Sequence, residues 1–261
     1  MRVTPLKPLG ATVDGVTVDE LPRRRVRELQ CLLAEHGVLV MRGQHVDDEA
    51  FTRFLRSFGD LVFTKGETPV DGHPDLNLVT NVGRTTPPRS SFHVDTSYVR
   101  KPPAYTALRA VEVPERGGRT LFSNQYRAHD TLSDELWRDL VGRCIEHVVT
   151  GVELDAGDER SARHPVFRDH PITGRTSLYL TTPDRCASVS GLGERQARAV
   201  IHYLFEHSTR PDNVLAHKWA PGDVVMWDNR CVMHRADHSG VVGRRTMHRG
   251  MVAEAALPRG Q

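Results

Sequence analysis

An imidazole and a carboxylate stand two residues apart in Ser91-Phe92-His93-Val94-Asp95, inside a run that reads as strand. Residues i and i+2 of a strand face the same side, roughly 7 Å apart along the backbone, so His93 and Asp95 can converge on one ion. A second histidine would complete a two-histidine, one-carboxylate face, the ligand set that leaves positions open on non-heme iron(II). The chain offers one far downstream, at His234. Fourteen histidines make a chance pair easy to find, so the pair alone is weak evidence. If the three residues do share an ion, the fold must lay two distant segments side by side.

With 261 residues the chain can bury a substantial core, and all-β architectures of this size often stay undivided, so one domain over 1–261 is expected. A hydrophobic share of 38% beside 26% charged residues fits a globular enzyme rather than a disordered chain. The formal charge of +2 argues against a nucleic-acid or membrane partner. The densest basic run, Arg23-Arg24-Arg25, sits on a helical pattern whose apolar residues Val26, Leu29 and Leu33 face elsewhere, which makes it a solvated face. Cys31, Cys144, Cys186 and Cys231 are scattered without a metal-like spacing, so reduced thiols are expected. No apolar leader or bilayer-length run is present, and cytoplasmic residence is the default expectation. Assembly into a homo-oligomer is left open.

Asp19, Pro22 and Gly37 bracket an amphipathic helix over 21–35, and a buried strand over 38–41 follows. A second helix over 48–58 carries Phe51, Phe54, Leu55 and Phe58 and stops at Gly59. Strands are expected over 76–80, 104–111, 119–122, 177–180 and 223–227, and helices over 132–144 and 194–208. The Gly-, Pro- and charge-rich stretches around 65–90 and 153–175 are candidate lid loops. Many strands between turns, with a few flanking helices, predict a mainly β (α+β) fold with a sandwich or jelly-roll core.

Near the end of the chain, Arg245-Thr246-Met247-His248-Arg249-Gly250-Met251 alternates. As a strand it would place Arg245, Met247, Arg249 and Met251 on one face. A guanidinium turned inward is costly unless paired, and its planar fork suits a carboxylate. The competing reading is an edge strand with Arg244, Arg245 and Arg249 in solvent. Among other polar residues, His129, His147, His202 and His207 are expected on helices or their flanks. Trp219 is expected in packing, and His238 and His248 behind the metal ligands or in solvent.

Taken together, Phe92-His93-Val94-Asp95, Gly117-Gly118-Arg119-Thr120, His170-Pro171-x-Thr173-Gly174-Arg175, Trp227-Asp228-Asn229-Arg230-x-x-x-His234 and Arg245-x-x-x-Arg249 resemble the taurine dioxygenase and 2,4-dichlorophenoxyacetate dioxygenase family. The resemblance runs from about Phe51 to Val252 in the family's order and spacing. It implies a double-stranded β-helix, cupin-like core that binds iron(II) and 2-oxoglutarate and uses dioxygen. His93, Asp95 and His234 would be the iron ligands. Thr120 and Arg245 match the residues that hold the distal carboxylate of 2-oxoglutarate, and Arg249 is similar to the arginine directed at an acidic group of a small-molecule substrate. With Asp95 in the ligand set, the resemblance implies hydroxylation or a related oxidation rather than halogenation, with succinate and carbon dioxide released. The taurine enzyme's sulfonate-binding histidine has no counterpart among Val62, Phe63 and Thr64, which argues against taurine itself. Arg89 and Ser91 are further candidates for substrate contact. Two rivals remain: a zinc hydrolase, which would need a general base in place of a keto-acid pocket, and a non-catalytic binding protein, which loss of a ligand or of Arg245 would have marked.

Overall fold

The computed structural model describes residues 1–84 and 90–254, and among these it has five α-helices around a mainly antiparallel β core. One sheet of nine strands runs Arg2–Pro5, Ala11–Asp14, Val38–Met41, Val224–Asp228, Tyr105–Glu112, Thr246–Val252, His73–Thr80 and Pro69–Val70, with Leu61–Val62 added beside Thr246–Val252. A smaller sheet sets Thr120–Asn124 between Val214–His217 and Val232–Ala236. Val38, Val40, Leu108, Val225, Trp227 and Met247 of the large sheet pack with Phe122 and Val232 of the small one, so the two sheets face each other. This is the arrangement a double-stranded β-helix requires.

Alternation sends the neighbouring side chains the other way. Leu39, Met41, Ala107, Val224 and Met226 pack against Val26, Leu29 and Leu33 of the helix Arg23–His36 and against Phe51, Phe54 and Leu55 of the helix Asp48–Arg56. Val38–Met41 and Val224–Asp228 are therefore buried along both faces, which is why they read as unbroken apolar runs. Burying one such side chain stabilises the fold by roughly 1.5–3 kcal/mol, so the sheet that carries the site is held from both sides. Helix Glu194–Ser208 covers the outside of the small sheet through Ala197, Ile201 and Leu204, which share a cluster with Met233. No described helix is long and apolar enough to cross a membrane.

The expected helix over 132–144 is shorter. Gln125–Asp130 and Asp134–Leu140 are separate helices, capped by Asn124 and Ser133 through their side-chain oxygens, and Gly142 at φ 77° turns the chain away. Cys144–Val148 then becomes the middle strand of a small sheet with Ser161–Pro165 and Cys186–Val189. His147 accordingly lies on a strand and not on a helix flank. The two expected lid stretches are loops only in part. The stretch 65–90 contains Pro69–Val70 and His73–Thr80, and 153–175 contains Ser161–Pro165 and Phe167–Asp169. The four cysteines are free, as expected.

Candidate active site

The strand expected around His93 shrinks to a single bridge. His93 N donates to His234 O at 3.0 Å and His234 N to His93 O at 2.9 Å. The chain then turns at Asp95, and Thr96 takes a left-handed φ of 48°, a position that costs a β-branched residue about 1–3 kcal/mol. Convergence of the two side chains thus comes from this bridge and turn rather than from strand alternation. His93 Nε2 lies 3.7 Å from Asp95 Oδ1 and His234 Nε2 3.6 Å from Asp95 Oδ2. One donor atom from each residue falls within 4.8 Å of the others.

Hydrogen bonds prepare this trio for a cation. His93 Nδ1 donates to Ser91 O at 2.8 Å, which leaves the Nε2 lone pair free. Trp227 Nε1 donates to Asn229 Oδ1 at 3.1 Å, Asn229 Nδ2 to Thr106 Oγ1 at 2.8 Å, and Thr106 Oγ1 to Asp95 Oδ2 at 2.7 Å. Every link has one workable polarity, so the relay fixes the carboxylate. Burial opposes a charge on Asp95, but His234, His93 and Arg249 outweigh it and hold the carboxyl well below the usual range. Burial pushes His234 down to about 3, so it is neutral at pH 7, as a ligand must be. Two imidazoles and one carboxylate on one side of a point fit iron(II) with positions left open.

A second, donor-only corner lies in the same cavity. The cavity measures about 1040 Å³ and is lined by His93, Asp95, His234, Thr120, Arg245 and Arg249 among others. Arg245 is 3% exposed, donates Nε to Gly118 O at 2.9 Å and Nη2 to Thr120 Oγ1 at 3.3 Å, and has no carboxylate in salt-bridge reach among the described residues. Burial alone lowers its titration to about 10. Trp219 Nε1 also donates to Thr120 Oγ1, at 3.0 Å. With both lone pairs of Thr120 engaged by donors, its own hydrogen is left to point at an acceptor. Gly118 is required here, because a Cβ at its φ of 66° would lie 2.9 Å from Arg245 Cδ.

Thr246–Val252 is an inner strand, between Tyr105–Glu112 and His73–Thr80, which removes the edge-strand reading of its arginines. Arg249 places Nη1 3.5 Å from Asp95 Oδ1 and Nη2 3.4 Å from Glu67 Oε1. Arg244, one residue before Arg245, pairs with Glu112 at the surface. His248 contacts Asp48 Oδ1 at 2.6 Å and Arg109 rather than His93, Asp95 or His234, so it is neither behind those side chains nor solvated. His238 lines the cavity. Ser91 does so too, with its carbonyl committed to His93 and its hydroxyl accepting from Thr182 at 3.2 Å. Arg89 lies outside the described residues.

Asp228, Arg230 and His170 of the remaining motifs form one buried network. Arg230 donates Nε to Asp228 Oδ1 at 2.8 Å, and His170 Nε2 donates to Asp228 Oδ2 at 3.0 Å, all fully buried. Burial works against the charge of Asp228, and Arg230 overcomes it. Sequence reasoning missed Thr106 and the hydrogen bond of Trp219. Neither carries a local signal, since each acts through a residue distant in the chain.

Comparison with known proteins agrees with this geometry. The family model described as taurine catabolism dioxygenase TauD, TfdA family matches residues 2–251. The alpha-ketoglutarate-dependent 2,4-dichlorophenoxyacetate dioxygenase of Cupriavidus pinatubonensis is 31% identical over 97% of this chain and 98% of its own. The crystal structure of a taurine dioxygenase from Burkholderia xenovorans superposes with a TM-score of 0.84 at 30% identity, covering 100% of this chain and 94% of that one. AAD-2 in complex with Mn(II) and N-oxalylglycine also gives 0.84, at 26% identity and 98% coverage of both chains.

Proposed function

Because the chain belongs to the taurine catabolism dioxygenase TauD, TfdA family of iron(II)- and 2-oxoglutarate-dependent dioxygenases, we propose that it oxidises a C–H bond of a small carboxylate or sulfonate. The whole chain acts as one catalytic domain in this reading. The observation that carries it is Arg245, a guanidinium 3% exposed and without an acid partner among the described residues, in the same cavity as three convergent metal-ligand side chains. A buried cation left unpaired is a standing penalty that a bound anion removes.

His93, Asp95 and His234 hold iron(II), and Arg245 with the Thr120 hydroxyl takes the distal carboxylate of 2-oxoglutarate. The metal, the keto acid and dioxygen supply the oxidation, with succinate and carbon dioxide as co-products. The protein's own task is placement. Thr106 keeps Asp95 from rotating, and Arg249, on the same inward face as Arg245, orients an acidic group of the substrate so that one C–H bond faces the metal. The related enzymes named for 2,4-dichlorophenoxyacetate and taurine carry an acid group on their substrates, which supports this role for Arg249. Nothing in these relatives supports a zinc hydrolase or a non-catalytic protein.

The test is a panel of carboxylates and sulfonates scored for succinate formed with added iron(II), against the turnover of 2-oxoglutarate alone. A true substrate raises succinate well above that background. Unchanged substrate affinity in Arg249→Leu removes the anchor role, and absence of any iron-dependent succinate removes the oxygenase reading.

A further inference from the structure

The cavity holds a second pairing of an arginine with a threonine, built like the one around Arg245. Arg185 ends the short turn Pro183–Arg185 and donates Nε to Thr150 Oγ1 at 3.0 Å. It is half-buried, and its two Nη groups have neither a hydrogen-bond partner nor a carboxylate in salt-bridge reach among the described residues. The Thr150 hydroxyl accepts from Arg185 and donates to no described residue, so its hydrogen is left to find an acceptor. Tyr98 is 9% exposed, and its hydroxyl also lacks a partner among the described residues. Burial raises its titration against the nearby charge of Arg185, so it stays a donor. Arg185, Thr150 and Tyr98 all line the cavity.

None of the described acids reaches Arg185. Lys65 holds Asp155 at 2.7 Å and Asp158 at 2.5 Å, and Asp184, beside Arg185 in the chain, is exposed and pairs with no described cation. Arg249, by contrast, is flanked by Asp95 and Glu67. Arg84 lines the cavity without an acid partner too, but it is exposed, where water screens its charge. Three donors in one corner, with no acceptor among them, offer an anion the same chemistry that Arg245 and Thr120 offer the keto acid.

The chain fixes where this corner lies relative to the ion. Thr182, just before the turn, donates to Ser91 Oγ at 3.2 Å, and the carbonyl of Ser91 holds His93. The Arg185 corner therefore stands on the His93 side of the ligand trio, whereas Arg249 touches Asp95. At about 1040 Å³ the cavity has room for the keto acid and an extended substrate together.

We propose that Arg185, Thr150 and Tyr98 form a second anion subsite, and that the substrate carries an acid group at each end of its skeleton. Such a molecule is a dicarboxylate or a sulfonate-carboxylate, with one end on Arg249, the other on Arg185 and the reacting C–H bond between them. This rests on the oxygenase reading and on Arg249 as the first anchor, and it narrows the substrate class.

The experiment uses α,ω-dicarboxylates of graded length, each beside the monocarboxylate of the same carbon skeleton. Binding to the full-length protein, loaded with Mn(II) and saturating 2-oxoglutarate without oxygen, is read by calorimetry. In the wild-type protein at least one diacid should bind about 10-fold or more tightly than its monoacid. Arg185→Gln should erase that preference by weakening the diacid about 10-fold with the monoacid unchanged, and Arg185→Lys should keep part of it. The proposal falls if no diacid outbinds its monoacid, or if Arg185→Gln weakens both equally, which would make Arg185 a brace for Thr150. It falls too if the diacid advantage disappears when 2-oxoglutarate is raised about 10-fold, which would place the diacid in the keto-acid pocket. Iron-dependent consumption of 2-oxoglutarate by the wild-type protein without substrate tests the oxygenase reading separately, and monoacid binding to Arg249→Leu tests the first anchor.

Discussion

Replacing Arg245 with methionine should strengthen the ligand-free protein while removing its hold on 2-oxoglutarate. The guanidinium is 3% exposed and titrates near 10 instead of 12.5 because burial disfavours its charge. At about 1.36 kcal/mol per pKa unit, that difference amounts to roughly 3 kcal/mol against the folded state. Methionine keeps much of the apolar stem beside Gly118 but gives up the bonds to Gly118 O and Thr120 Oγ1, a loss of about 1–2 kcal/mol. The net expectation is a gain of about 1–2 kcal/mol, read from urea unfolding of metal-free protein. The folded titration lies below the unfolded one, so the penalty is fully present below pH 10 and fades only as pH rises from 10 toward 12.5; a comparison at pH 7 captures all of it. In parallel, calorimetric affinity for 2-oxoglutarate should fall about 100-fold, in line with the roughly 2–5 kcal/mol lost when one partner of a buried charge pair is removed. A variant more than about 2 kcal/mol less stable than the wild type would show Arg245 to be a satisfied structural cation, and the reasoning would be refuted.

Thr106→Val leaves Asp95 Oδ2 without its donor and should weaken divalent-metal binding about 10–100-fold, as measured by Mn(II) titration; unaltered affinity would remove the relay from the account. Trp219→Phe frees one lone pair of Thr120 and lets its hydroxyl rotate, so KM for 2-oxoglutarate should rise up to about 10-fold at constant kcat. A drop in kcat at constant KM would contradict the positioning role. His147 is fully buried and stacked on Tyr179, and both its ring nitrogens lack partners. Burial, then His164, push its titration down to about 3. The unfolded chain therefore takes up a proton first as pH falls through 6.5, and stability drains away from there toward pH 3. His147→Phe keeps the stack and should add about 1–3 kcal/mol at pH 7, with the advantage over wild type widening toward pH 4; parallel stability curves against pH would count against it.

Much of this molecule could be read from residue order, because apolar spacing reports directly which side of an element is buried. Glu194–Ser208 announced itself through Ala197, Ile201 and Leu204, and Val38–Met41 through four apolar residues in a row. The ligand trio, Thr120, Arg245 and Arg249 were named through the resemblance to a known family, since the His93–Asp95 pair alone is weak evidence and the arginines read equally well on an edge strand. Other features were not, since they depend on partners that only packing brings near. Cys144–Val148 is a strand because two other strands reach it, and a run at 91–95 that looks extended becomes a bridge because His234 pairs with it. Thr106 and Trp219 have unremarkable neighbours in sequence, and each gains its role from a group more than 10 residues away in the chain. Local composition thus determined the chemistry on offer, an ion site beside two cations. The tertiary structure decided which hydrogens point where and which charges cancel, because those depend on distances across the gap between two sheets, and no periodicity along one strand encodes them.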